Sequence, residues 1–318
     1  MTESEQLLDA LDARVERRNQ RRNFFKTAMG AAAAGVTAFT LASKGGAQST
    51  VTDADVLNFA LNLEYLEAQF YAYAANGTGL ASSQLAGTGT QGAVTGGRKV
   101  NFTDPVVARY AQEIAADEAA HVAFLRTALG TAAVAQPAIN ISGDADGAFT
   151  AAARAAGVVS STGTFDPYAS DENFLLGAYI FEDVGVTAYK GASPLISNKT
   201  FLQAAAGILA VEAYHAAMVR GALYAKGMQT PALITAAGQI SDARDSLDGT
   251  SDLDQGIAAQ TINGQLVSNI VPLDTNGIAY SRTPGQVLNI VYLNRASVTL
   301  GGFFPAGVNG NVRASAAN

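Results

Sequence analysis

Glu118-Ala119-Ala120-His121 and Glu212-Ala213-Tyr214-His215 decide the reading of this chain, because they hold the only two histidines among its 318 residues. Each span sits in an Ala-rich helical stretch and places a glutamate three residues before its histidine. On a helix, residues three apart share a face with Cβ atoms about 5–6 Å apart, so each pair can grip one metal ion. The chain has 10 Glu in all, so both histidines acquiring this neighbour by accident has odds of roughly one in a thousand. Arg126 and Arg220 follow the histidines by five residues, and each leads into an Ala-Leu pair. The two spans read as an internal duplication of one helix.

The helices that would partner them repeat as well. Residues 53–75 and 171–190 each carry a glutamate inside an apolar run, with a tyrosine seven residues later: Glu64 with Tyr71, and Glu182 with Tyr189. Seven residues is about two helical turns, so each tyrosine stands on the same face as its glutamate. The order along the chain is Glu, Glu-x-x-His, Glu, Glu-x-x-His. Four buried carboxylates without counter-charge would cost several kcal/mol per ion or would take up protons. Two divalent cations cancel them and leave both imidazoles neutral. Oxygen and nitrogen ligation suits Fe, Mn or Zn, and the absence of cysteine argues against a soft-metal site.

These residues make the chain resemble the ferritin-like superfamily and, within it, the ferritin-like domain or desiccation-related group. The resemblance runs from residue 52 to about 228 and extends to the C-terminal stretches 269–294 (NIVPLDTNGIAYSRTPGQVLNIVYLN) and 301–310 (GGFFPAGVNG). It implies an all-α fold: a ferritin-like four-helix bundle of two antiparallel helix pairs joined by a long crossover, with a C-terminal helical extension. It also implies a dimetal centre between the pairs, with two divalent ions (Fe or Mn, or else Zn). The ligands carried over are Glu64, Glu118, His121, Glu182, Glu212 and His215, with Glu118 and Glu212 bridging. Glu67, one turn on, is the alternative to Glu64. Tyr71 and Tyr189 are either donors that orient the carboxylates or ordinary core tyrosines.

The N-terminus carries Arg21-Arg22-Asn23-Phe24-Phe25-Lys26 and then a mild apolar run, Thr27 to Leu41. This resembles a twin-arginine export signal, although Gln20 and Phe25 depart from the usual pattern. Small residues at Gly45-Gly46-Ala47 fit a cleavage site, so residues 1–47 are read as signal peptide and the mature protein as periplasmic or extracellular. The apolar run is shorter than the ~20 residues a spanning helix needs, and no stable membrane span is expected after cleavage. The whole chain has net charge −7; removing residues 1–47 takes away seven Lys/Arg and five Asp/Glu, leaving 13 basic and 22 acidic residues and a net −9. That balance argues against nucleic acid. With no cysteine there is no disulfide framework.

Residues 48–228 are expected to form the bundle and 229–318 the extension. The first bundle helix starts at Thr52 with Asp55 as a capping box and stops at Asn76-Gly77. The second has Asp104 as cap and Pro105 inside it, ending at Gly130. The third runs from about Ser170 to Gly191 and the fourth from about Asn198 to Gly227. A short turn joins the last two, and about 40 residues, with a short helix near 145–156, form the crossover. Residues 77–103 are expected to hold a small hairpin near VTGGRKVNF (94–102) or to cover one end of the bundle. Further helices are expected from Thr230 to about Leu247 and from Thr283 to about Arg295. Asp248 to Asp254 reads as a solvated loop, since EF-hand spacing is missing. Phe303 and Phe304 either seal a partner surface or fold back.

Two functional classes follow. One is a redox enzyme whose small-molecule partner is peroxide or oxygen: catalase-like with manganese, ferroxidase or peroxidase with iron. The other is a structural or desiccation-protective envelope protein holding an inert metal. The absence of Cys pairs excludes a rubrerythrin-like internal electron relay. A homo-oligomer is compatible with either, and a large storage cage is disfavoured by the long loops and the extension.

Overall fold

The structure is a computed structural model that describes residues 51–318; the twin-arginine pair, the apolar run and the cleavage site at 1–47 lie outside the described residues. Four long helices make the frame: α1 (Asp53–Asn76), α2 (Pro105–Leu129), α4 (Asp171–Ala192) and α5 (Lys199–Gly227). Each begins on a side-chain cap. Thr52 and Asp55 form a reciprocal capping box on α1, Asp104 accepts from the Val106 amide, Ser170 from Asn173, and Asn198 from Thr200 and Phe201. Such caps satisfy amides that have no partner inside the helix. α1 ends on Gly77 at φ 82, a left-handed position that glycine adopts without strain.

Side-chain contacts give the packing directions. Asn58 near the start of α1 bonds Ala132 just beyond α2, and Glu64 meets His121, so α1 and α2 are antiparallel. Glu172 meets Lys226 while Asp183 meets Arg220, so α4 and α5 are antiparallel too. Lys226 also bonds Asp104 and His215 bonds Asp117, which sets α2 against α5 in the same sense. The shared interior is apolar and aromatic, with Phe70 in contact with Tyr71, Phe149, Tyr168, Phe174 and Phe181. α5 is long and apolar enough to cross a membrane, with mean hydropathy 1.3 in its most apolar stretch. Its Glu212, His215 and Arg220 are nevertheless buried within the fold, which makes it a helix of the bundle.

The crossover holds a short helix, α3 (Ala148–Ala155), at the expected place. The hairpin expected near residues 94–102 does not form. Strand β1 (Val94–Gly96) pairs instead in parallel with β2 (Ile139–Ile141), which follows α2 in sequence. Gly96 and Gly97 have φ 79 and 90 and turn the chain away from itself, while buried Ile139 and Ile141 give β1 an apolar partner.

The extension contains α6 (Ala232–Asp248), an exposed hairpin of β3 (Gln260–Ile262) and β4 (Gln265–Val267), and α7 (Pro284–Val291). α7 stops four residues short of Arg295. Leu293 takes a left-handed φ of 53, and the Asn289 side chain gathers the Asn294 and Ala316 carbonyls. The tail folds back: Phe303 is buried, with ring centroids 4.9 Å from Phe181 and 5.2 Å from Phe149. Gly302 permits this turn, since a Cβ there would stand 2.7 Å from the Val291 carbonyl.

The acidic stretch after α6 is not a solvated loop at both ends. Asp248 and Asp254 are buried and bind Arg282, at 2.5 and 3.1 Å, and Asp254 also binds Arg244. Arg220 and Arg244 both reach Asp183 on α4. The sequence showed the acids; the cations of Asp248 and Asp254 come from α6 and the segment before α7, and only tertiary packing assembles them.

Candidate metal centre

The bundle brings the six expected residues into one buried locus. Glu64 comes from α1, Glu118 and His121 from α2, Glu182 from α4, and Glu212 and His215 from α5. Glu118 and Glu212 are fully buried, and the other four are buried as well. Two groups of ligand atoms result, each with its members within 4.8 Å of one another: Glu64, Glu118, His121 and Glu212 in one; Glu118, Glu182 and His215 in the other. Glu118 belongs to both.

His121 turns Nδ1 towards Glu64 at 3.1 Å, Glu118 at 3.5 Å and Glu212 at 3.7 Å. His215 turns Nδ1 towards Glu118 at 3.1 Å and Glu182 at 3.6 Å, with Nε2 bonded to Asp117 at 3.1 Å. Short as it is, the approach of His215 Nδ1 to Glu118 does not have hydrogen-bond geometry. His215 Nδ1, both oxygens of Glu118 and Glu212, and Oε2 of Glu182 are buried without a hydrogen-bond partner. Buried polar atoms are satisfied in the great majority of cases, so six orphans gathered within the two groups are atoms that could hold a metal ion. The donor set is hard to borderline, all carboxylate and imidazole, which suits Fe, Mn or Zn.

The tyrosines do not serve their own glutamates. Tyr71 on α1 donates to Glu182 on α4, and Tyr189 on α4 donates to Glu64 on α1. Each therefore ties one helix pair to the other and spends one carboxylate oxygen so that the second faces inward. Burial and then the charge of the accepting glutamate push both hydroxyls well above their ordinary range, so they remain donors.

Protonation of the chain by itself follows from the same burial. Burial raises Glu118 and Glu212 well above the carboxylate range, helped by neighbouring carboxylates, and lifts Glu182 to about 8. Burial would raise Glu64 as well, but hydrogen bonding and charge from His121 prevail and hold it low. His121 is correspondingly raised: burial works against its charged form, and the bond and charge of Glu64 outweigh that. Burial keeps His215 low despite Asp117, so its imidazole is neutral at neutral pH, as a ligand must be.

Two residues at the centre, Gly185 and Asp117, escaped the spacing argument, and a third entered it only as an alternative ligand. Glu67, the alternative to Glu64, lies in neither ligand group. It is buried, and desolvation followed by the charges of Glu182 and Glu64 holds its proton well above the usual range. With Glu67 neutral, four carboxylates are left to face a cation. Gly185 stands three residues after Glu182, where the other repeat has Glu67 three after Glu64. A Cβ at Gly185 would meet Glu212 Oε2 at 2.2 Å, so glycine makes the room that carboxylate occupies. Asp117 was legible only as an unremarked acid beside Glu118. The repeated arginines act alike on each side: Arg126 donates to Tyr65, and Arg220 to Tyr179.

An antiparallel four-helix frame carrying a buried carboxylate–imidazole cluster of this order defines a ferritin-like helical bundle. The chain belongs to the ferritin-like domain family, which matches residues 52–225. It is 31% identical over 272 residues to ferritin-like catalase Nec2 of Nesocodon mauritianus, covering 82% of this chain and 84% of that protein. It is 32% identical over 247 residues to desiccation-related protein PCC13-62 of Craterostigma plantagineum, covering 74% and 76%. No solved structure matches the chain.

Proposed function

We propose that this chain is an exported dimetal carboxylate protein that performs redox chemistry on peroxide or oxygen, with iron or manganese held by Glu64, Glu118, His121, Glu182, Glu212 and His215. The observation that carries the reading is the convergence of ligand groups from four helices, with six buried, unpartnered atoms contributed by α2, α4 and α5. A relative named ferritin-like catalase supports peroxide as the substrate class. When bound, a redox-active metal pair supplies electron transfer to and from peroxide. Disproportionation turns two peroxides into two waters and one dioxygen, one peroxide being oxidised as the other is reduced, and so needs no external donor.

The residues of the chain do the rest. Glu118 spans both halves, while Tyr71 and Tyr189 lock Glu182 and Glu64 in place. The α1 and α4 core keeps bulk water from the locus, and Glu67 holds a proton within it. Paired Arg21-Arg22 supports export by the twin-arginine route, which moves folded proteins and so allows metal loading beforehand.

The competing reading, a protective envelope protein with an inert metal, draws on the enclosure of the centre and on the desiccation-related relative. Elemental analysis of protein purified from its native source, followed by a peroxide-consumption assay, separates the two. Iron or manganese near two per chain with peroxide turnover supports the enzyme. Zinc alone with no turnover moves the conclusion to the structural role.

A further inference from the structure

The duplicated halves match at Glu, Tyr, Glu-x-x-His and Arg, yet they differ at the residue before the second glutamate: Asp117 in α2, Val211 in α5. That difference reaches the centre. Asp117 crosses from α2 to α5 and places Oδ2 3.1 Å from His215 Nε2. Ligation through Nδ1 leaves the proton on Nε2, where it donates to Asp117. His215 is thus held from behind by a carboxylate while its other nitrogen faces Glu118 and Glu182. Valine has no atom that could do the same in the other half, and every polar contact His121 makes among the described residues is through Nδ1. The donor counts differ as well: the group that contains His121 has four side chains, and the group that contains His215 has three.

A carboxylate behind a ligating imidazole fixes its tautomer and ring orientation and raises its basicity. We propose that Asp117 is a positioning residue for His215, and that the His215 half of the centre depends on it for its metal while the four-donor His121 half does not. The two metal positions are therefore unequal. This inference rests on the dimetal reading above. Asp117 is 43% exposed at its side chain, so as a mere ion pair it adds little to folding; its removal acts on metal retention selectively.

The test compares the full chain with Asp117→Asn and Asp117→Val, each loaded with manganese(II), dialysed, and assayed for metal per chain, metal affinity and melting of the chelated form. The wild type is expected to keep two ions. Asp117→Val is expected to keep about one, with affinity at the other position lowered about 10–100-fold, and to replace the spectrum of a magnetically coupled pair with that of an isolated ion. Asp117→Asn, whose amide oxygen still accepts from Nε2, falls between. Adding His215→Ala to Asp117→Val should cost no further metal, whereas adding His121→Ala should empty the centre. Two ions held by Asp117→Val at wild-type affinity, with unchanged melting, overturn this inference alone. A wild type that holds no metal overturns the dimetal reading and this inference with it.

Discussion

Replacing Gly185 by alanine gives the sharpest test of the centre's geometry. The added Cβ would lie 2.2 Å from Glu212 Oε2 and 3.1 Å from its Cδ. Non-bonded heavy atoms settle at about 3.5–4.0 Å, so the carboxylate must retreat by about 1 Å. Metal–ligand distances tolerate about 0.2 Å, a fifth of that movement, and Glu212 is fully buried with no solvent to swing into. Helix propensity pulls the other way, since alanine gains about 1 kcal/mol over glycine in a helix interior. Overpacking costs about 1–3 kcal/mol, which leaves the metal-free protein destabilised by up to about 2 kcal/mol. The loaded protein loses a ligand as well, and its metal affinity should fall at least about tenfold. Gly207→Ala and Gly221→Ala are matched controls, because a Cβ at either position meets nothing within 4 Å. Thermal unfolding with and without chelator, alongside elemental analysis, reads both effects. If Gly185→Ala kept two metals and melted with the controls, the assignment of Glu212 to the centre would fail.

Other outcomes follow from the same arrangement. Glu182, raised to about 8, and Glu118, Glu212 and Glu67, also raised by burial, bind protons more tightly folded than unfolded. Their contribution to metal-free stability is complete below the unfolded carboxyl range near about 4.3 and is lost as pH rises through about 8 and beyond; melting of the chelated protein should fall across that window, while the loaded protein stays flatter. Metal binding at neutral pH should release protons, measurable by calorimetry in buffers of different ionisation enthalpy; no proton release would contradict the burial argument. Tyr71→Phe should cost about 1–3 kcal/mol and loosen metal in the Glu182 half, with Tyr189→Phe acting on the Glu64 half; equal effects on both halves from either variant would refute the crossed bonding. Arg282→Met strands Asp248 and leaves Asp254 with Arg244, and should destabilise by about 3–5 kcal/mol without altering metal content, checked by denaturant unfolding and elemental analysis.

The C-terminal tail shows where a linear reading stops. Phe303 and Phe304 looked equally suited to a partner surface or to folding back, because a Gly/Pro-flanked aromatic pair states only that it needs apolar cover. For Phe303 that cover is Phe149 from the crossover and Phe181 from α4, more than a hundred residues away, and for Phe304 it includes Tyr292. The expected 94–102 hairpin failed for a related reason. Its strand found a buried partner beyond α2, and no local signal announces a parallel pairing across an intervening helix.

The chain's own order determined that four helices would exist and which acids and imidazoles they would turn inward, since caps, breakers and residues three or seven apart are local matters governed by helical period. Tertiary structure alone decided what those groups meet: that each tyrosine serves the opposite pair, that Asp117 stands behind His215, that Gly185 clears space for Glu212, and that Arg220, Arg244 and Arg282 neutralise Asp183, Asp248 and Asp254. These are contacts between segments distant along the chain, and periodicity within one helix carries no information about the rotation and depth at which a second helix packs against it.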